Sequence, residues 1–288
     1  VGLDAAEDEM AKDVQKQLVV LVTGASAGIG RETVRLLLEA GHAVWASARN
    51  PKKVADLVSV GARAVALDVE NESSVKKALA TILKRDGRID VLINNAGYGS
   101  YGTVEDVPLD EARRQFEVNV FGLARLTQLV LPGMRERGSG RIVNIASIAG
   151  HVSVPGGAWY HASKHALVAI TDALRMETRP FGIRVVMVKP GLVKTDWSRI
   201  ALESMERYSG RGAYARLVSA MKDFFGKGGT SVHKVARVVV RAALVRRPPV
   251  SWAVPFEAKA ILFFRRIFPD RMVDAVMQHR LKFRKEKK

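Results

Sequence analysis

The chain contains no cysteine. That removes disulfides, thiolate metal sites and a cysteine nucleophile, and it fits a reducing cytosol. It has no run approaching the roughly 20 uninterrupted apolar residues that a membrane span requires. It has no signal-peptide pattern either. The opening "VGLDAAEDEMAKDVQKQ" is polar and acidic, and residues 1–16 read as a disordered leader. Internal repeats, low-complexity tracts and a clear domain linker are all missing, so a single domain is expected. Acidic charge is scarce: 46 Lys/Arg stand against 29 Asp/Glu, for a net charge of +17. The imbalance is uneven, because residues 237–288 hold 14 Lys/Arg and 4 Asp/Glu, a local +10. Such a balance serves solubility, an anionic lipid, nucleic acid or a phosphorylated ligand.

What is present is a hydrophobic content of 48%, enough for a sizeable core, laid out in alternating patterns. "QLVVLV", "HAVWASAR", "ARAVALDV", "IDVLINNAG", "GRIVNIASIAG" and "IRVVMVKPG" are short apolar runs that read as strands. Between them lie segments with helical apolar spacing, including "RETVRLLLEAG", which stops at Gly41, "PKKVADLVSVG", "ESSVKKALATILKRDG" and a long helix from about Leu109. Strands alternating with helices predict an α/β fold with a doubly wound parallel sheet covered on both faces. Such sheets bind ligands at the carboxyl ends of the strands, where the strand order reverses.

The first turn, "TGASAGIG", places Gly24, Gly28 and Gly30 between a strand and a helix. Glycines let the backbone approach a pyrophosphate, and the helix N-terminus offers free N–H groups. The spacing is T-G-x-x-x-G-x-G. With "NNAG" at 94–97, Asn119, Ser147, the Tyr160/Lys164 pair and "PGLVKT" at 190–195, it resembles the short-chain dehydrogenase/reductase family over roughly residues 17–255. The resemblance implies a Rossmann fold, a nicotinamide cofactor and a homo-oligomer, a dimer or tetramer. It implies that Ser26, Ile29, Asn95, Ala96, Gly97, Pro190, Gly191 and Val193 line the cofactor. It further implies that Asp68 and Val69 hold the adenine, and that Thr195 contacts the nicotinamide amide.

The end of the second strand bears on which cofactor binds. An acidic residue there would hold the ribose hydroxyls of NAD. The slot reads Ala48-Arg49, followed by Lys52 and Lys53. No carboxylate repels a 2′-phosphate and a guanidinium is ready to pair with one, so NADP (NADPH) is expected.

Tyr160 and Lys164, four apart, share one helical face. A free tyrosine has a pKa of about 10. The ammonium beside it is expected to stabilise the phenolate and bring the phenol down towards the range of useful acid–base catalysis. By resemblance, Tyr160 is the proton donor to a carbonyl oxygen, Ser147 binds that oxygen, and Lys164 also binds the ribose hydroxyls. Asn119 would hold a water linking Lys164 to solvent. Ser147 has no G-x-S-x-G elbow, which argues against a hydrolase. His161 and His165 also stand four apart but have no carboxylate or third His beside them, so no metal site is expected.

Residues 195–230 form a long connection expected to be a substrate lid. Trp197, Met205, Tyr208, Tyr214, Phe224 and Phe225 within it favour an apolar substrate of lipid, steroid or retinoid type. Beyond the domain at 17–257, residues 258–288 read as two short helices broken near Pro269, the second starting near Asp270. Val273, Val276, Met277 and Leu281 make an apolar stripe set among basic residues. This extension could pack as plain structure, cover the pocket or a dimer contact, or lie on an anionic membrane. Nucleic acid is not expected, since no binding module is recognisable. The chain is thus expected to be a cytoplasmic oxidoreductase, at most peripheral to a membrane. Alternatives are a 3-oxoacyl thioester reductase, a non-catalytic NADP-binding regulator, and a membrane-surface protein retaining the fold.

Overall fold

The computed structural model describes residues 17–226 and 228–280. The expected leader at 1–16, Leu281 and the basic end after it lie outside the described residues. Val19–Val22 (β1) is buried along its whole length, as a central parallel strand must be when helices cover both faces. It leads into α1, Gly28–Glu39, whose Gly30, Thr33, Val34 and Leu37 make one buried stripe at i, i+3, i+4 and i+7. Then come β2 (Ala43–Ala48), the short α2 (Ala55–Ser59), β3 (Arg63–Ala66), α3 (Glu72–Asp86) and β4 (Val91–Asn94). Two helices, α4 (Leu109–Phe116) and α5 (Leu123–Glu136), are joined by a π-helical turn at Glu117–Gly122. The second half runs β5 (Gly140–Ile145), α6 (Ala158–Thr178), β6 (Ile183–Pro190), α7 (Asp196–Ser209), α8 (Ala215–Gly226), α9 (Val232–Leu244) and β7 (Ser251–Val254). Two last helices follow, α10 (Phe256–Ile267) and α11 (Asp270–Arg280).

The seven strands form one parallel sheet in the order β3-β2-β1-β4-β5-β6-β7. This is the doubly wound Rossmann-like domain expected from the alternating pattern. Strand order reverses between β1 and β4, so a crevice opens above their carboxyl ends. The apolar layers on the two faces are distinct: Val34 and Leu37 pack with α9 on one side, and Ile82, Leu126 and Met134 on the other.

A buried polar chain crosses the middle of the sheet. Asn94 of β4 is in register with Asn144 of β5 and donates to its Oδ1 at 2.9 Å. Asn94 Nδ2 also meets Thr127 Oγ1 of α5 at 3.2 Å, and Asn144 Nδ2 donates to Thr171 Oγ1 of α6 at 2.9 Å. Two strands and two helices on the same side are therefore locked in one relative position.

Two features departed from the sequence reading. The helix from Leu109 is interrupted by the π turn. Strand β7 was not anticipated, because "SWAV" is short and bracketed by prolines that read as a loop. The connection at 195–230 is built mainly of α7 and α8, with Ala201, Met205, Leu217, Val218 and Met221 buried in a small core of their own.

Replacing Asn144 by Ala should leave the Asn94 amide and Thr171 short of partners in a dry interior. A loss of about 2–3 kcal/mol in unfolding free energy is expected from urea titration. A change under about 0.5 kcal/mol would show that the polar chain does not matter to stability.

Candidate active site

A single cavity of about 1160 Å³ runs along the carboxyl ends of the strands. Its floor is the glycine turn. Gly24 has φ +66°, and a Cβ there would stand 2.9 Å from Ala96 Cα. A Cβ on Gly30 would meet Asn95 Nδ2 at 2.4 Å and Gly24 O at 2.6 Å. Only glycine allows this approach of the turn to the end of β4. The approach is stitched by side chains. Thr23 Oγ1 accepts from the N–H groups of Asn95 and Ala96, both at 2.9 Å, and Asn95 Nδ2 donates to Thr23 O at 2.8 Å. At the start of α1, Ala27 provides no side-chain cap, so the first-turn N–H groups are left for a ligand.

Most residues expected at the site line this cavity. They include Gly24, Ser26, Gly28, Ile29, Arg49, Asp68, Val69, Asn95, Ala96 and Gly97 on one side, and Ser147, Tyr160, Lys164, Pro190, Gly191, Val193 and Thr195 on the other. Two do not reach its surface. Gly30 lies behind the turn. Asn119 sits in the π turn, where it accepts from Tyr98 N–H at 3.0 Å and donates to Tyr98 O at 2.9 Å and Ser163 Oγ at 3.1 Å. Gly97 separates it from the pocket: a Cβ there would stand 3.0 Å from Asn119 Oδ1 and 3.8 Å from Lys164 Nζ. Arg49 is exposed at the cavity rim, just past the buried Ala48.

Tyr160, Ser163, Lys164, Leu167, Thr171 and Leu174 form the buried face of α6. Helical spacing thus delivers the phenol and ammonium to the same wall, with Lys164 Nζ 5.9 Å from the Tyr160 ring centre. Lys164 donates to Ile145 O at 3.1 Å. Ser147 accepts from Ala149 N–H at 3.1 Å and donates to Pro190 O at 3.3 Å.

The charge balance differs from the expectation of a lowered phenol. Burial pushes Tyr160 up to about 12, although the Ser147 hydroxyl bonded to it works the other way. Burial also brings Lys164 down to about 8. Desolvation is the leading cause for both groups, each of which is buried to 7% exposure. The Tyr160 phenol therefore keeps its proton at neutral pH.

Sequence reasoning missed Tyr101 and the role of His161. Tyr101 is buried against Tyr160 at 5.7 Å between ring centres and edge-on to Trp197 at 5.6 Å. Its hydroxyl faces His161 Nε2 at 3.4 Å, while His161 Nδ1 donates to Val152 O at 2.6 Å. His165 Nδ1 instead donates to His161 O, so the two imidazoles do not converge. The tyrosine- and glycine-rich "YGSYG" after β4 was the available signal. Of the aromatics and methionine expected over the substrate, Trp197, Phe224 and Phe225 line the cavity. Met205 is buried beside it, and Tyr214 points to Glu105 at the surface.

A parallel seven-stranded sheet with a glycine turn at its switch point and a Ser–Tyr–Lys wall defines a dinucleotide-fold oxidoreductase. A family model for short chain dehydrogenases matches residues 18–205. A probable short-chain type dehydrogenase/reductase of Helicobacter pylori, VdlC, is 35% identical, covering 90% of this chain and 96% of its own length. A 3-ketodihydrosphingosine reductase of Bacteroides thetaiotaomicron is 39% identical over 62% of this chain and 65% of its own. A short-chain dehydrogenase structure from Streptomyces avermitilis superposes with a TM-score of 0.79 at 34% identity, covering 93% of this chain and 98% of the other. The chain belongs to the short-chain dehydrogenase/reductase family and is an oxidoreductase of that family.

The buried ammonium should be visible in stability. Its folded pKa lies below the ordinary lysine value of 10.5. The unfolded chain therefore binds the extra proton between pH 8 and 10.5, and stability rises with pH across that window. Relative to Lys164→Met, the wild type should gain ~3 kcal/mol of unfolding free energy over it. A gap that stays constant with pH would show that Lys164 is not desolvated.

Proposed function

We propose that the chain is an NADP(H)-dependent oxidoreductase that reduces a carbonyl on an apolar, lipid-like molecule, or oxidises the matching alcohol. The observation that carries the reading is convergence: the glycine turn, Arg49 and the Ser147–Tyr160–Lys164 wall open into one cavity. The uncapped helix start and the close glycine approach suit a pyrophosphate. Arg49 would pair with the 2′-phosphate, with Lys52 and Lys53 exposed beside it. Asp68 and Val69 would hold the adenine end. Thr195 caps α7 by accepting from Trp197 N–H at 3.2 Å, so its hydroxyl proton remains free for a carboxamide.

The bound dinucleotide supplies or accepts the hydride. In reduction, Tyr160 gives its phenolic proton to the carbonyl oxygen as hydride reaches the carbon, and the alcohol forms. Its upward-shifted pKa keeps that proton in place at neutral pH. The Ser147 hydroxyl turns from Pro190 O to hold the same oxygen. Lys164 holds ribose hydroxyls and faces the resulting phenolate, and Asn119 behind Gly97 supports the return of a proton.

Beyond this wall the cavity is apolar. Tyr101, Val154, Trp197, Phe224 and Phe225 line it, and an elongated hydrophobic substrate suits such a surface. The likeness to a 3-ketodihydrosphingosine reductase supports the same class. A homo-oligomer is part of this proposal.

Arg49→Ala should weaken NADPH binding by about 1.5–3 kcal/mol in fluorescence titration, leaving NADH nearly unchanged. Equal losses for both cofactors would refute the NADP assignment. Tyr160→Phe should retain cofactor binding while turnover of an NADPH-linked ketone falls by at least about 100-fold. Turnover close to wild type would remove Tyr160 from the mechanism.

A further inference from the structure

The terminal helices carry an unusual surface. Among the described residues, eight of the nineteen exposed large hydrophobic side chains fall between Phe256 and Val276. Apolar exposure is thus concentrated in α10 and α11 rather than scattered, and a concentrated patch marks an interaction site. The two helices present it in two stripes. Phe264, Phe268, Met272 and Val276 turn towards the catalytic cavity and form its outer wall, with Phe264 and Phe268 stacked at 5.6 Å. Phe256, Phe263 and Ile267 repeat at helical spacing but do not line the cavity, and they are 77%, 61% and 58% exposed. Lys259 and Arg266 stand among this second stripe and are exposed, as is Arg271 on α11. Arg265 is paired to Asp270 across the helix break at 2.8 Å.

We propose that α10 and α11 dock on an anionic lipid bilayer, with the mouth of the cavity opening into the lipid phase. This deepens, and rests on, the reading of an apolar lipid-like substrate. Three features select a bilayer over another occupant. First, charge complements it: among the described residues, 256–280 hold five Lys/Arg against three Asp/Glu, a net +2, and the sequence after them adds five Lys/Arg against one Asp/Glu. That positive charge opposes a second copy of the same face and favours anionic headgroups. Second, exposed aromatics interleaved with Lys and Arg are the composition of a helix lying in a membrane interface. Neither helix is long and apolar enough to cross a membrane, so the contact is a surface one. Third, the patch is continuous with the cavity wall. A hydrophobic substrate leaving the bilayer would pass Phe268 and Phe264 on its way to Tyr160 without crossing water.

The test uses the full chain and the double variant Phe263→Glu/Ile267→Glu, whose side chains are solvent-exposed and line neither the cavity nor the core, Phe263 meeting the outer-wall ring of Phe264. Co-sedimentation with phosphatidylcholine vesicles, with and without phosphatidylglycerol, is measured without cofactor. Wild type should bind the anionic vesicles at least about tenfold more tightly than the neutral ones, and high salt should weaken that binding. The double variant should lose at least about tenfold with an unchanged melting temperature. No binding by wild type, or equal binding by the variant, overturns the proposal. So does a dimer by light scattering that the variant converts to monomer without any vesicle binding, because the face would then join two copies. Turnover separates this from the functional reading. A water-soluble ketone should be reduced equally by both proteins, while a long-chain ketone delivered in anionic vesicles should be reduced at least about tenfold more slowly by the variant. Vesicle binding without turnover of either ketone would defeat the functional reading and leave the docking surface standing.

Discussion

The structure depends on the way two strand ends are tied together at the switch point. Thr23 Oγ1 accepts two backbone N–H groups from Asn95 and Ala96 and donates to Ile93 O at 3.3 Å, so all three of its hydrogen-bonding positions are used. This small, almost fully buried side chain fixes the end of β4 against the glycine turn. Once that distance is set, Gly30 has no room for a Cβ, and α1 must begin where it does. The start of α1, the loop at 94–97 and the wall of α6 then face one another across a single space. A parallel sheet opens a crevice at such a point in any case. The threonine–asparagine stitch gives this one its dimensions.

On the opposite wall the governing term is desolvation. α6 buries Tyr160 and Lys164 because they share a helical face with Leu167 and Leu174. Neither group is free to ionise as it would in water, and both shift towards their neutral forms. A dry pocket therefore stores an acid that keeps its proton and a cation held close to losing its own. The same dryness strengthens each hydrogen bond aimed at a developing oxyanion. Tyr101 and Trp197 provide it by packing tilted against the phenol at 5.7 and 5.0 Å, with Phe225 edge-on to Tyr101 at 5.5 Å. Much of that enclosure comes from the insert of α7 and α8, so this segment belongs to the electrostatics of the wall as well as to the shape of the cavity.

Much of this was legible in the sequence. The strand and helix periods were strong because parallel strands are buried on both faces, which yields runs such as "VVLV". The glycine turn and the Tyr160/Lys164 pair were marked by residue type and spacing, and Asn95 and Ser147 by the family resemblance; all of them face the same cavity. Other features could not be read. The π turn around Asn119 depends on packing of Gly122 against Val69 O, which no local pattern encodes. Strand β7 is only four residues long, and its pairing with β6 is a long-range event. The direction of the tyrosine shift was misjudged because spacing reveals the neighbouring charge but not the loss of water. The only signal for Tyr101 was the loop composition of "YGSYG", and its place beside Tyr160 follows from the fold rather than from chain proximity.

The two ends of the cavity make opposite physical demands. At Tyr160, the proposed proton transfer favours exclusion of water, and the small core under α7 and α8 contributes to it with Met205 and Met221 fully buried. At the outer end, the proposed hydrophobic substrate would have to enter, so the wall cannot be sealed by the same means. An ordinary protein surface would place polar side chains there, and each would have to be desolvated as an apolar molecule passed. α10 and α11 instead set Phe264, Phe268 and Met272 at the opening, which removes that barrier but leaves apolar surface exposed. Such exposure is tolerated where like charge opposes self-association, and the basic side chains Lys259, Arg266 and Arg271 stand exposed on these helices. The basic charge that first suggested several unrelated partners is thereby tied to the same site as the aromatics: one keeps the open mouth from closing on another copy, and the other makes the mouth passable.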